Sequence, residues 1–167
     1  MTEKMTRLAL LTALSLVLFA VESAFPSPIP VPGAKLGLAN AVTVWCVYRC
    51  GAKEAMMVLA ARVLLSSLIT GNAFALAFSV SGGFASLLLC AALARALKGL
   101  PMWQCSAAGG AMHNAAQLAA AYALTRASGL VHYAPFLLIA GLACGTATGL
   151  IAQLTAARLD AAKGVKR

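Results

Sequence analysis

The stretch Ser-Ala-Ala-Gly-Gly-Ala-Met-His-Asn-Ala-Ala-Gln, residues 106–117, decides how the rest of the chain is read. His113, Asn114 and Gln117 stand in a run otherwise made of small and apolar residues. On a helix, positions 113 and 117 lie one turn apart, and 114 and 117 are also neighbours. Three imidazole or amide groups then share one side of a segment whose remaining surface is apolar. Such a segment belongs inside a bundle, and in lipid it needs a reason to keep its polar side.

Composition says that the solvent is lipid. The 167 residues are 62% hydrophobic and 10% charged, with a mean hydropathy of +0.89, well outside the soluble range. The length suits one domain. The formal charge is +9, but lysine and arginine in such a chain report topology first. No basic tract is interleaved with aromatics as in a nucleic-acid groove, so no nucleic-acid partner is expected. The cysteines at 46, 50, 90, 105 and 144 fit neither a disulfide framework nor a zinc site, and read as small apolar filler. The first apolar run, from Leu8 to Ala24, lacks a small-residue cleavage site and is expected to be a retained span.

Windows of about 20 residues delimit apolar segments near 5–24, 36–48, 55–70, 74–96, 105–125 and 133–157. The expected fold class is an all-α membrane protein, a six-transmembrane-helix bundle forming a single integral membrane domain over 1–167. The second segment is short for a full crossing. With six alternating crossings, Lys4, Arg7, Arg49, Lys53, Arg95, Lys98, Arg158, Lys163, Lys166 and Arg167 fall on one side. Lys35 and Arg126 fall on the other. This asymmetry predicts cytoplasmic termini in a multi-pass cell-membrane protein.

Within that frame several residues stand out. Ala9, Ala13, Ala20 and Ala24 line one face of the first segment, and small residues let another helix approach closely, whether a partner's or one of the bundle's own. Gly141, Gly145 and Gly149 repeat the device in the sixth segment, where internal packing is expected. Four prolines between 26 and 32 stiffen the first outer loop, with Lys35 and Asn40 following. That loop suits a lid over an outward-facing pocket. Arg62 sits near the middle of the third segment, where a lone charge costs at least about 2.5 kcal/mol. Glu22 is its only plausible acidic partner, the alternatives being helix-end carbonyls, water or a ligand. In the fourth segment, Ser79, Ser81 and Ser86 flank the pair Gly82–Gly83, which either aims amides at an anion or marks a kinked packing site. Gly109 and Gly110 predict a close approach or a break just before His113.

Catalysis is not expected. The only aspartate is Asp160, near the C-terminus, so the paired Asp-rich motifs that hold magnesium on a diphosphate are missing. A Ser-His-Asp arrangement lacks its acid. No Walker-type loop is present, so ATP hydrolysis would have to come from elsewhere. No cofactor or metal is expected. What remains is an electropositive pocket suited to a small molecule with a carboxylate, a phosphate or several carbonyls, with Ser106 at the start of its polar stretch.

Pro-Gly-Ala-Lys-Leu-Gly-Leu-Ala-Asn40, Ala-Arg62-Val-Leu-Leu, Ser-Val-Ser-Gly-Gly-Phe-Ala-Ser86 and Gly-Ala-Met-His113-Asn-Ala-Ala-Gln117 resemble, in order, the motifs of the Gx transporter family, also labelled heptaprenyl diphosphate synthase component I. That family is similar to the substrate-binding S components of energy-coupling-factor (ECF) vitamin transporters. The resemblance implies six helices and a pocket in the outer half, capped by the loop between helices one and two. It also implies a first-helix Ala-x-x-x-Ala, matched by Ala9 and Ala13, that docks on a transmembrane coupling subunit served by an ATPase pair. The implied setting is the bacterial cytoplasmic membrane and the implied cargo a quinone or isoprenoid precursor, a vitamin or a flavin. The synthase label implies, as the alternative, a noncatalytic subunit of a polyprenyl diphosphate synthase. A third possibility is a scaffold for flavin-based electron transfer.

Overall fold

The computed structural model describes residues 2–24, 37–71, 73–162 and 164, and the regular elements among them are all helical. They are α1 (Thr2–Ala24), α2 (Leu38–Arg49), α3 (Ala52–Thr70), α4 (Ala73–Ala96), α5 (Met102–Thr125) and α6 (Ala134–Ala162), with a 3-10 helix over Ser128–Tyr133 leading into α6. Each apolar segment is a helix, but α1, α3 and α5 begin earlier than hydropathy alone suggests. The charged or amide residues Lys4, Lys53, Glu54 and Gln104 lower a hydropathy window, yet they are good helix formers. At the other end of the chain, α6 runs on through Arg158 and Asp160 for the same reason.

Among the described residues, three helical stretches are long and apolar enough to cross a membrane: Thr2–Ala24, Leu76–Ala96 and Ser128–Ala162. The others fall short for physical reasons. α2 has only 12 residues, α3 carries Arg62, and α5 carries His113, Asn114 and Gln117. The outer surface is nonetheless apolar. Leu10, Val17, Leu68, Ile69, Phe136, Ile139 and Leu154 are all exposed, whereas the fully buried side chains are few and modest in size, Leu59 and Leu87 among the largest. In water such continuous apolar patches would drive association. In lipid they are the proper surface.

Polar ties fix which helix ends lie together. Lys4 Nζ donates to Glu54 Oε1 at 2.6 Å, joining the starts of α1 and α3. Arg49 pairs with Asp160 and donates to the Ala156 carbonyl, joining the ends of α2 and α6. Tyr48 Oη donates to the Leu100 carbonyl at 2.9 Å, bringing the α4–α5 connection to the same end. Arg7, Lys53, Arg95, Lys98 and Arg158 belong to these same termini, so this is the basic end of the bundle.

Glycines set the packing. A Cβ on Gly110 would fall onto the Gly141 carbonyl, one on Gly145 onto the Ser106 carbonyl, and one on Gly149 would lie 2.6 Å from Trp103 Cα. The three glycines of α6 therefore serve internal packing, with backbone against backbone along α5. On the opposite side of α5, a Cβ on Gly109 would lie 2.6 Å from Cys90 Sγ, so α4 is drawn in as closely. There Cys90 Sγ donates to the Cys105 carbonyl and Cys105 Sγ to that of Cys90, at 3.2 and 3.3 Å. Among the described elements, α1 by contrast packs on α2 and α3 alone.

Candidate functional site: a cavity inside the bundle

All six helices contribute to one cavity of about 390 Å³. Phe19 and Glu22 come from the last turns of α1, Asn40 from the first turn of α2, and Phe78, Ser79 and Ser86 from the first half of α4. α6 supplies Leu137, Gly141, Cys144, Gly145 and Thr148. These positions place the cavity toward the end of the bundle remote from the basic termini. Its floor is polar: Ser106 Oγ and Thr148 Oγ1 lie 3.2 Å apart, and both residues are buried. Thr148 Oγ1 also donates to the Cys144 carbonyl at 3.0 Å, which satisfies the hydroxyl within its own helix.

Arg62 enters from the middle of α3. It is only 7% exposed, it lines the cavity, and its Nε has no hydrogen-bond partner. The expectation that Glu22 pairs with it is not met. Glu22 lines the same cavity, but Oε1 accepts from the Gly37 amide at 2.6 Å and Oε2 from the Leu38 amide at 3.1 Å. Those are unsatisfied amides at the start of α2, and the positive end of that helix is where a carboxylate is best placed. Gly37 has φ of 73°, a left-handed conformation that presents its amide to the carboxylate at little steric cost. The glutamate is thus a cap supplied by a neighbouring helix. It forms no ion pair with the guanidinium.

The polar trio on α5 divides between two neighbours. Asn114 Nδ2 donates to the Leu137 carbonyl of α6 at 2.7 Å, and Gln117 Nε2 donates to the Phe78 carbonyl of α4 at 3.3 Å. Each amide thereby ties α5 to a flanking helix while its residue lines the cavity. His113 also lines the cavity and has a buried Nδ1 with no partner. The two helices that could have broken at glycine do not. α4 is continuous through Gly82–Gly83 and α5 through Gly109–Gly110, so those amides stay in the helix and offer nothing to an anion. Their use is steric. A Cβ on Gly82 would lie 2.8 Å from His113 Nε2, and one on Gly83 would lie 3.1 Å from Leu59 Cδ1 and 3.8 Å from Arg62 Nη2. The glycine pair lets α4 pass between the arginine and the histidine.

Of the residues singled out in the sequence, Asn40, Arg62, Ser79, Ser86, Ser106, His113, Asn114 and Gln117 all line this cavity. Ser81 does not; its hydroxyl donates to the Phe78 carbonyl at 3.1 Å within its own helix. Lys35 and the proline-rich stretch expected to act as a lid lie outside the described residues. Ala9 and Ala13 are on the exposed face of α1, far along the helix from the cavity. Sequence reasoning missed Phe19, Phe78 and Thr148 as cavity walls, and it missed the capping role of Glu22. The signal for that cap was present: an acid ending one helix, and a glycine just before the next.

Among the described residues, bundle and cavity together define a helical protein with a lipid-type exterior and a ligand-sized interior site of mixed polar and apolar lining. The chain belongs to the heptaprenyl diphosphate synthase component I family, which matches over residues 11–155. Searches of curated proteins and of solved structures find no match.

Proposed function

We propose that this protein is a noncatalytic, membrane-embedded substrate-binding subunit of the S-component kind. In this reading all six helices lie in the bacterial cytoplasmic membrane, with both termini in the cytoplasm, and the cavity opens toward the outer side. Its cargo is a small anionic molecule, such as a quinone or isoprenoid precursor, a vitamin or a flavin. An energy-coupling-factor transmembrane subunit and an ATPase pair drive release, docking on the face that carries Ala9 and Ala13.

One observation carries the proposal: a buried arginine with an unpaired Nε, set into a cavity walled by every helix. An ionisable group at such depth is costly unless it serves a ligand or a path. The concave, mixed polar and apolar lining and the volume fall within the range of small-molecule sites, about 300–1,000 Å³. Mass spectrometry of the protein purified in a native lipid disc tests the reading. A small molecule retained by the wild type and absent from Arg62→Ala is the expected outcome; a wild-type protein that is empty and is stabilised by no candidate cargo counts against it.

The family description favours a second reading, a noncatalytic membrane subunit of a heptaprenyl diphosphate synthase. It predicts co-purification with a soluble Asp-rich synthase and a change in that enzyme's rate or product length. Failure to associate sinks it.

A further inference from the structure

The four acidic residues of the chain can be accounted for one by one. Glu3 is exposed in the first turn of α1 at the basic end. Glu54 pairs with Lys4, and Asp160 with Arg49. Glu22 alone reaches the cavity, and both its oxygens are taken by the amides that open α2. Arg62 therefore has no ion pair among the described residues, although the Glu22 charge lies in the same cavity, and among those residues it is the one fixed cation of the lining. Around it, Ser86, Ser106 and Thr148 are neutral hydroxyls, while Phe19 and Phe78 line the end nearer the start of α2.

We infer that the cavity takes a monoanion: a molecule with one carboxylate-type head seated on Arg62 and an uncharged, mostly apolar body reaching toward Phe19 and Phe78. The inference rests on the reading of the cavity as a ligand site and narrows its cargo. A guanidinium and a carboxylate match in charge and in the geometry of two parallel hydrogen bonds. A phosphate monoester brings about −1.5 to −2 charges at neutral pH, and a diphosphate brings more. Either leaves excess negative charge in a low-dielectric site beside Glu22, where unpaired charge is expensive. The cargo is thus a carboxylic acid and not a prenyl diphosphate.

Calorimetry on the full-length protein in lipid discs tests this with matched probes: 2-naphthoate, 2-naphthamide, 2-naphthyl phosphate, geranate and geranyl diphosphate. At least one carboxylate should bind about ten- to a hundredfold more tightly than its neutral or multiply charged counterpart, the worth of one charge-assisted contact. Arg62→Gln should erase that preference, and Arg95→Gln, exposed at the basic end, should leave it in place. Equal binding of naphthoate and naphthamide overturns the charge assignment while leaving the ligand site standing. Tighter binding of geranyl diphosphate than of geranate, or an equal loss in Arg95→Gln, overturns it too. If no probe binds and the purified protein carries nothing, the inference falls together with the ligand site. The comparison of probes on the wild type needs no variant to fold.

Discussion

Gly82 and His113 meet across the α4–α5 interface so closely that a Cβ on the glycine would lie 2.8 Å from the imidazole Nε2. The same Cβ would lie 2.8 Å from Gln117 Cγ. The absence of one methyl group on α4 therefore positions two of the polar side chains that α5 turns into the cavity.

Gly82→Ala separates propensity from fit. In an exposed helix interior the change stabilises by about 0.8–1 kcal/mol. Here the methyl pushes His113 and Gln117 off their positions, and overpacking costs about 1–3 kcal/mol. The expected outcome is a small net loss in thermal stability with a much larger loss in retained ligand. Unfolding temperature and bound-ligand content, measured on the same preparation, check it.

Arg62→Met should act in opposite senses on stability and on binding. Removing a buried guanidinium whose Nε has no hydrogen-bond partner relieves a penalty of about 1–3 kcal/mol, so the ligand-free variant should melt higher than the ligand-free wild type. Stabilisation by bound cargo should disappear. A lower melting point without ligand would mean that the guanidinium holds the bundle together.

The α5–α6 seam should be the least tolerant part of the chain. At Gly110, Gly141 and Gly145 an added Cβ meets backbone, which has no rotamer to move to. Gly145→Val should abolish monodisperse expression, whereas Gly99→Ala, where no atom lies within 4 Å of the added Cβ but φ is 89°, should cost only backbone strain. Size-exclusion profiles and melting curves distinguish the two.

Ala9 and Ala13 face outward, on a helix that among the described elements packs on α2 and α3 alone. Ala9→Trp or Ala13→Trp should leave the fold and the cavity intact, with ligand content equal to that of the wild type. Under the proposed docking, uptake in cells should be lost. Uptake that persists in both variants removes this face from the coupling path.

Much of this architecture was legible in the residues, and the parts that were not share a cause. Hydropathy finds segments because it sums over many positions, and all six segments are helices. It misplaces their starts at Lys4, Lys53 and Glu54, since solubility in lipid and helix formation are different properties. Polar residues in apolar runs pointed to the cavity, and Arg62, His113 and Ser106 all reach it. Ser81 shares the composition of Ser79 but not its direction, and direction follows from how α4 is rotated against α3 and α5. The partner of Glu22 was equally out of reach. Counting charges suggested Arg62, while the structure answers with two backbone amides, which no count of side chains includes.

The shortness of α2 has a consequence for how such proteins could diverge. Twelve residues span about 18 Å, against about 36 Å for the 24 residues of α5. Arg49 and Tyr48 moor the end of α2 at the basic end of the bundle, so the whole shortfall is displaced to its start, at cavity depth. The length of α2 is thereby one determinant of the chamber, beside the side chains that line it. A change of length at the start of α2 would alter the chamber and the amides that Glu22 caps, while the glycine seam of α5 and α6 and the mooring contacts at the basic end lie elsewhere in the bundle.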